Sequence, residues 1–333
     1  MSAISVCLLA HNNGRYIGSA IESVLAQSFG DWEMLISDDA SSDDTEEIVR
    51  PHLCDRRIRY VRHRENLKQG ANWGLAISHT NAPLIATLHA DDVWETYALQ
   101  TYVSAFTEME EIDLVWGNWL RTSETLQPMV YQAPPNVDKT YTGQNALRYL
   151  FKTFRILPSA AAFRRQAATQ AGPPNCRYGM LCDREWFLRV ARVSRSARSL
   201  SLCMVNYRVH QASVTTEFTT SGKLLDELDD FGRNLPELLS VLEDKDSLIV
   251  EYNRSIAEYY LRMAVTLRIA CRNSEAKKRL AQAIAFNCGM LLRPRIFLKW
   301  LLFYGGGLGN WILSLTHGKN RYVTRVRRSR HRV

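Results

Sequence analysis

The sequence predicts an α/β fold in which a mainly parallel sheet is flanked by helices and is followed by an all-helical C-terminal region. Short apolar runs alternate with segments of helical periodicity between residues 4 and 117, which is the order of βαβ units. Strand patterns end before about residue 218, and residues 221 to 316 show helical patterns only. The composition, 46% hydrophobic and 23% charged over 333 residues, is that of a globular chain with a full core.

The first part of the chain predicts five strands with four helices between them. Ile17, Ile21 and Val24 lie on one helical face, as expected of a helix that covers a sheet. Further helices are expected near 143–154 and 183–193, and a strand is expected between 200 and 209. The five strands are placed at 4–10, 32–37, 58–62, 84–88 and 113–117, and the four helices near 15–27, 43–50, 69–79 and 95–108.

Two pairs of adjacent carboxylates, Asp38-Asp39 and Asp91-Asp92, follow the second and fourth predicted strands. In open parallel sheets, ligands bind beyond the carboxyl ends of the strands, so both pairs are candidate site residues. Clustered acids repel each other, and their oxygens suit a divalent cation such as Mg²⁺ or Mn²⁺ that bridges to a phosphate. Asp92 has a second interpretation, as the N-cap of the helix that follows it.

Asp183 and the segment from Tyr207 to His210 are the remaining candidates. Asp183 stands at the predicted start of a helix, where the helix dipole favours the ionised carboxylate and keeps it available as a general base. The same position suits an N-cap, and the residues alone leave both interpretations open. Strand alternation places Arg208 and His210 on one face, where they would meet a phosphate or the metal, or would form an ordinary exposed pair.

Several segments, taken in order, resemble family 2 glycosyltransferases with the A-type nucleotide-sugar fold. The resemblance covers about the first 215 residues. It implies a Rossmann-like sheet in a catalytic domain over 1–218, followed by the helical region over 219–316 and a basic tail over 317–333. The segments that carry it are Ile4 to Asn13, Ile21 to Phe29, Ile36 to Thr45, Ala90-Asp91-Asp92, Cys182 to Arg189 and Tyr207 to Ser213.

The resemblance also implies a role for each candidate residue. Asp183 would be the catalytic base, and Asp91 would be a metal ligand together with His210, with Mg²⁺ or Mn²⁺ as the cofactor. The residues expected to bind the nucleotide sugar are Ala10, Asn12, Asp38, Asp39, Asn66, Asp91 and Arg208. The sequence departs from the family pattern at three positions: His89 and Cys182 each replace an acid, and His11 replaces a tyrosine.

The function implied by the resemblance is inverting transfer of a sugar from a nucleotide-diphosphate donor to a hydroxyl of a glycan or lipid-linked saccharide, in cell-surface polysaccharide biosynthesis. The alternative is a catalytically weakened member that serves as a binding or scaffold subunit, which His89 and the basic tail motivate. A dehydrogenase is disfavoured because the first turn, His11 to Gly14, lacks the GxGxxG pattern. A glycoside hydrolase would use two carboxylates but no metal.

The last part of the chain suggests a membrane surface as a partner. Seven basic residues after His317 account for nearly all of the net charge of +8, so the tail would bind anionic lipid or remain solvated. Nucleic acid is disfavoured because the aromatic residues lie apart from the basic run. The apolar segment 296–316 contains several glycines and would pack on the protein, lie in the membrane interface or span the bilayer. We expect a cytoplasmic protein, peripheral on the inner face of the cell membrane.

Overall fold

The computed structural model describes residues 2–129, 137–210, 223–269 and 272–287. Nine strands form one sheet: β1 (Ile4–Ala10), β2 (Trp32–Asp38), β3 (Ile58–Arg62), β4 (Leu84–His89), β5 (Val93–Trp94), β6 (Ile112–Thr122), β7 (Lys139–Thr142), β8 (Ala161–Arg164) and β9 (Ser196–Arg208). The helices are α1 (Gly14–Leu25), α2 (Thr45–Val49), α3 (Lys68–Ser78), α4 (Ala98–Glu108), α5 (Gly143–Thr153), α6 (Arg165–Ala171), α7 (Cys182–Val193), α8 (Lys223–Leu238), α9 (Lys245–Ile269) and α10 (Asn273–Phe286).

The predicted alternation of strands and helices is confirmed, and the predicted elements are shifted by at most a few residues. Four elements were not predicted, namely β5, β7, β8 and α6. Both β5 and β7 are short, with two and four residues. β8 begins with two alanines, which have low strand propensity, so its strand character depends on pairing with neighbouring strands.

The strand order is β3-β2-β1-β4-β8-β6-β9-β5, and β7 also pairs with β9. The first four strands in this order are parallel to one another. β8 is antiparallel to both β4 and β6, so the sheet is mixed beyond its parallel half. In the parallel half, Ala10 pairs with Asp38, and Leu9 pairs with His89. This register brings the carboxyl ends of β1, β2 and β4 to one edge of the sheet.

An aromatic cluster beside the sheet joins α3 to α7. The ring of Trp73 on α3 lies 4.6 Å from that of Trp186 and 5.6 Å from that of Phe187, and Phe163 of β8 packs edge-on to Trp186 at 4.9 Å. All four side chains are buried completely. The indole N–H of Trp73 donates to Thr87 at 3.0 Å, and that of Trp186 donates to the Gly172 carbonyl at 2.8 Å. The buried polar atoms of both indoles are therefore paired.

The chain divides into two compact units, Met1–Leu242 and Glu243–Val333. The predicted domain boundary near residue 218 lies outside the described residues, and the first unit also contains α8. In the described part of the second unit, α9 packs against α10 through Tyr260 and Phe286, whose rings stack at 5.7 Å. Among the described helices, none is both long and apolar enough to cross a membrane. The predicted segment 296–316 and the basic tail fall outside the described residues.

We expect the substitution Trp186→Ala to lower the free energy of unfolding by about 3–5 kcal/mol, because it removes a fully buried ring that contacts three others. Urea unfolding of the full chain measures the change. The matched control is Leu202→Ala, whose side chain is 47% exposed, and it should stay within about 0.5 kcal/mol of the wild type. Equal losses in the two variants would mean that the aromatic cluster does not stabilise the fold.

Candidate active site

The carboxylate of Asp38, at the end of β2, accepts three hydrogen bonds from protein donors. Its Oδ1 accepts hydrogen bonds from the Ser41 amide at 2.9 Å and the Ser41 hydroxyl at 2.6 Å. Its Oδ2 accepts the Tyr60 hydroxyl at 2.5 Å. Asp38 is fully buried. Predicted as a nucleotide contact, it fixes the turn after β2 in this structure, and that turn forms part of the rim of the site.

Asp39 and Ala10 connect three loops at the same edge. The Asp39 amide donates to the Ala10 carbonyl at 2.8 Å, which extends the pairing of β1 and β2 by one residue. The Asp39 carboxylate accepts the Leu67 amide at 2.6 Å, so it also holds the loop that leads into α3. Both residues lie where the sequence placed them, at the strand ends.

The exposed residues His11, Asn12 and Asn66 form a network on this rim. His11 Nδ1 donates to the Asp39 carbonyl at 2.7 Å, so its Nε2 is left to accept the Asn66 amide at 3.1 Å. The side-chain carbonyl of Asn12 accepts the Ser42 amide at 2.8 Å. The structure thus brings together Asn12 and Asn66, both predicted to bind the donor. His11, which departs from the family pattern, links them to Asp39.

Backbone strain is concentrated in the same loops. Asn12, Ala40 and Lys68 have φ angles of 53°, 56° and 70°, in the left-handed region that side chains with a Cβ seldom adopt. Asn12 and Ala40 lie in the loops that follow β1 and β2, and Lys68 is the first residue of α3, directly after the loop that follows β3. Such strain persists only where surrounding contacts hold it, and here the Asn12 amide donates to Ser41 at 2.8 Å, while the Lys68 amide donates to Asn66 at 2.9 Å.

His89, Asp91 and Asp92 form an acidic cluster at the end of β4. Their potential ligand atoms lie within 4.8 Å of one another. Burial opposes ionisation of Asp91, but a hydrogen bond with His210 and weaker favourable interactions together outweigh it, so the pKa of Asp91 lies below its usual value. Burial lowers the pKa of His89, despite the opposing effect of Asp91. The cluster therefore contains an ionised carboxylate and a neutral imidazole at pH 7, which are the forms that coordinate metals.

Asp92 does not cap the following helix, so that interpretation of the sequence is wrong. The short strand β5 lies between Asp92 and α4, which begins only at Ala98. The fully buried Asp92 carboxylate instead accepts the Ser159 hydroxyl at 2.6 Å and the Arg208 amide at 3.1 Å. Burial, followed by the charge of Asp91, raises the pKa of Asp92 well above its usual value. Asp92 therefore anchors the cluster to β9.

Arg208 is buried, and its guanidinium is directed at the protein. It donates to the Asp91 carbonyl at 2.8 Å, to the Ser19 hydroxyl at 2.9 Å and to the Glu124 carbonyl. It also lies 4.8 Å from the centre of the Tyr16 ring. The sequence predicted that Arg208 binds the nucleotide sugar. In the structure, its guanidinium binds the backbone carbonyl of Asp91 and so supports the acidic cluster. Ser159, Glu124 and Tyr16 carry no local sequence signal for this network.

His210 lies beside Asp91, as the metal prediction requires. Its Nε2 is 3.0 Å from Asp91 Oδ2, and its ring packs 4.7 Å from that of Tyr16. Two neighbouring ligands of an octahedral ion with bonds of about 2.1 Å also lie about 3 Å apart. The buried Nε2 atom of His89 has no hydrogen-bond partner within the described residues. The available donors therefore fit a divalent cation at the end of β4.

Asp183 lies in the first turn of α7, at some distance along the chain from the acidic cluster. Its Oδ1 accepts the Arg184 amide at 2.6 Å, so it does satisfy one free amide of the helix terminus. Burial raises the pKa of Asp183 to about 6, against the opposing effect of Arg184 and with a further contribution from Glu227. A carboxyl group with a pKa near neutrality is suited to general base catalysis. The N-cap position of α7 is Leu181 and not Asp183, so the N-cap interpretation is wrong, while the interpretation as a general base stays a prediction.

Gly70 allows α3 to approach the start of α7 closely. A Cβ at this position would lie 3.0 Å from the Asn175 carbonyl oxygen and 3.1 Å from Cys182 Sγ. Both distances are shorter than most real Cβ contacts, and the first involves backbone, which cannot move aside easily. The first turn of α3, which follows the loop that Asp39 holds, is therefore packed closely against Asn175 and against Cys182, the residue before Asp183.

Residues 5–171 match the family described as Glycosyl transferase family 2, and the chain belongs to this family. The matched region contains both acid pairs and ends before Asp183, Arg208 and His210. The resemblance first inferred from short motifs is therefore confirmed at the level of the family. The protein is a glycosyltransferase.

Relatives and solved structures agree with this assignment. An uncharacterized glycosyltransferase of Nostoc sp. is 32% identical over 123 residues, which are 34% of this chain and 38% of that protein. The Escherichia coli protein WfaP, a UDP-Glc:alpha-D-GlcNAc-diphosphoundecaprenol beta-1,3-glucosyltransferase, is 25% identical over 65% of this chain and 80% of its own. The crystal structure of S. aureus TarS 1-349 has a TM-score of 0.67 at 14% identity and covers 96% of this chain and 93% of TarS 1-349. The predicted A-type fold is thereby confirmed.

Proposed function

We propose that this protein is an inverting glycosyltransferase that moves a sugar from a nucleotide-diphosphate donor to a hydroxyl of a glycan or lipid-linked saccharide in cell-surface polysaccharide biosynthesis. The observation that carries the proposal is the Asp183 carboxyl, whose pKa of about 6 suits a base and whose helix packs against the first turn of α3, next to the loop held by Asp39. A single base opposite a diphosphate site is what one-step inverting transfer needs, since no second carboxylate has to form a covalent intermediate.

The comparisons support this donor and acceptor class. By its name, WfaP uses UDP-glucose and a saccharide linked to undecaprenyl diphosphate. TarS 1-349 has been crystallised with UDP and with UDP-GlcNAc. A polyprenyl-linked acceptor would bring this chain to the inner face of the cell membrane, where its basic tail would meet anionic lipid.

In the proposed reaction, the acceptor hydroxyl attacks the anomeric carbon from the side opposite the diphosphate. The new C–O bond forms as the bond to the diphosphate oxygen breaks, so the configuration at the anomeric carbon is inverted. The hydroxyl proton passes to an oxygen of Asp183 as the attacking oxygen becomes acidic, and this transfer contributes roughly 10²- to 10⁴-fold to the rate. His11, Asn12, Asp39 and Asn66 form the rim against which the nucleotide is held.

A divalent cation would be held by Asp91, with His89 of the same cluster or His210, whose Nε2 lies 3.0 Å from Asp91 Oδ2, as a nitrogen ligand, and it would supply positive charge to the departing diphosphate. Asp92 is a poorer ligand because Ser159 and Arg208 already occupy its oxygens. Mg²⁺ prefers oxygen ligands and waters, whereas imidazole suits transition metals. The histidines therefore favour Mn²⁺ over Mg²⁺ at this site.

The direct test is a screen of UDP-glucose, UDP-GlcNAc and GDP-mannose for nucleoside diphosphate release, with synthetic GlcNAc-diphosphoundecaprenol as the first acceptor. We expect transfer with inversion, detected by NMR of the product, from one of these donors. Asp183→Asn should reduce transfer about 10²- to 10⁴-fold while donor binding persists, because only the base is lost. Near-normal transfer by a folded Asp183→Asn variant would refute the base assignment.

The rate of transfer should depend on pH through the ionisation of Asp183. The base is active when deprotonated, so kcat/KM should be level above about pH 7 and fall roughly tenfold per pH unit below the pKa of about 6. A pH–rate profile with saturating metal measures this limb. A fall in kcat/KM centred near pH 4, the usual pKa range of an aspartate, would show that burial does not raise the pKa of Asp183.

Metal binding is testable without turnover. We expect Mn²⁺ to bind in the presence of UDP, with loss of the free-ion EPR signal, and Mg²⁺ to compete weakly. Asp91→Asn should weaken Mn²⁺ binding by roughly 10- to 100-fold or more, because even supporting residues have effects of that size. Asp31→Asn, an exposed acid at the opposite end of β2, is the control and should bind Mn²⁺ normally. Equal binding by both variants would contradict the assignment of Asp91.

A further inference from the structure

Glu227, on the second turn of α8, binds the backbone directly before α7. Its Oε1 accepts the Gly179 amide at 2.6 Å, and its Oε2 accepts the Met180 amide at 3.0 Å and the Leu181 amide at 2.9 Å. Three consecutive backbone donors thus converge on one carboxylate. Hydrogen bonds from backbone amides to an ionised acceptor are among the stronger ones in proteins.

This contact places a carboxylate next to the N-terminus of α7, where the local sequence provides no side-chain cap. The N-cap position is Leu181, whose side chain has no acceptor, and no side-chain hydrogen bond caps the helix there. A helix terminus leaves free amides and a partial positive charge, which an anion stabilises. The Asp183 carboxylate accepts one amide inside the helix, that of Arg184. The Glu227 carboxylate accepts the amide of the N-cap residue Leu181 and those of Gly179 and Met180 before it.

The same face of α8 is attached to the segment before α7 at three further points. Asn234 donates to the Tyr178 hydroxyl at 2.6 Å, Asp230 pairs with Arg177 at 3.4 Å, and Phe231 packs edge-on to the Tyr178 ring at 6.3 Å. Residues 227, 230, 231 and 234 have the spacing of one helical face. The position of Glu227 is therefore set by packing, and its carboxylate is not a mobile surface group.

We propose that Glu227 is a positioning residue for the base: by binding the amides of residues 179–181, it fixes the turn of α7 that presents Asp183 to the acceptor. Both carboxylate oxygens of Glu227 accept those amides, so we assign proton transfer to Asp183 and not to Glu227. The catalytic consequence rests on the proposed function, whereas the structural contact does not. A displacement of about 1 Å in a reacting group can reduce a rate by about 10²-fold, so the precision of this turn matters for catalysis.

The charge of Glu227 has a separate effect on Asp183. The charged and titratable groups that act on Asp183 are Arg184 on α7, which lowers its pKa, and Glu227 on α8, which raises it, in addition to burial. The neighbouring Cys182 thiol stays protonated because burial raises its pKa. Removing the charge at position 227 should therefore move the pKa of Asp183 downward from about 6, while removing the contact alone should not.

The experiment compares Glu227→Gln with Glu237→Gln in the full chain. Glu237 is an exposed acid on the same helix, so the control has the same change in charge. In Glu227→Gln, the side-chain NH₂ faces an amide donor, so at least one hydrogen bond is lost. Hydrogen exchange of the peptide over residues 177–188 should become roughly 10- to 100-fold faster than in the control. NMR titration of ¹³C-labelled aspartate, assigned with Asp183→Asn, should show a lower pKa for Asp183.

A second variant separates the contact from the charge. Glu227→Asp keeps the charge but is shorter by one methylene, so exchange over 177–188 should quicken while the pKa of Asp183 stays near about 6. It also serves if Glu227→Gln does not fold. With UDP-glucose and the acceptor above, both variants should lose kcat by roughly 10- to 100-fold with the donor KM unchanged.

Exchange and titration in Glu227→Gln that equal those of Glu237→Gln would overturn the inference. These readouts need no substrate, so they are independent of the proposed reaction. If Asp183→Asn transfers sugar normally, the assignment of Asp183 as the base fails, and exchange still decides whether Glu227 holds the turn. If Asp183→Asn is inactive but Glu227→Gln transfers at the control rate, the positioning role alone is refuted.

Discussion

The guanidinium of Arg208 is the interaction on which the acidic site depends most. It donates to a carbonyl of the metal motif, to a hydroxyl on α1 and to a carbonyl after β6, while the amide of the same residue donates to Asp92. These acceptors come from chain segments up to 189 residues away from Arg208. Without it, several polar groups would be enclosed without partners, which costs about 1–3 kcal/mol for each group. Arg208, at the end of β9, thus holds Asp91 and Asp92, which follow β4, in position.

In each of the two acid pairs, the two carboxylates have different hydrogen-bond partners. In each pair one carboxylate, Asp38 or Asp92, is fully buried and takes its hydrogen bonds from the protein, so it acts as an internal fastening for its loop. Asp39 is also buried, but its carboxylate accepts the amide of Leu67 in the loop before α3, whereas the carboxylate of Asp91 is partly exposed and contacts His210.

The parallel half of the fold could be predicted because its strands are short apolar runs that alternate with segments of helical periodicity, although β3 also contains Arg59 and Arg62. The antiparallel strands could not, because β8 consists largely of alanine and β5 has only two residues, so pairing rather than composition defines them. Among the site residues, those at strand ends were predictable from position. The partners of Asp92 and Arg208 were not, since Ser159 and Glu124 lie far away in the chain and look like ordinary loop residues. The same holds for Glu227, which is separated from the amides it binds by more than 40 positions.

Gly70 sets how closely α3 approaches the segment that leads into α7. The two helices also meet through the buried rings of Trp73 and Trp186. The distance between the first turn of α3 and the start of α7 is therefore set by atomic contact at Gly70. A methyl group at position 70 would push these two segments apart, and we expect it to slow the reaction in an enzyme that still folds and still binds its nucleotide. Such a defect, measured without a structure, would be mistaken for the loss of a reacting group.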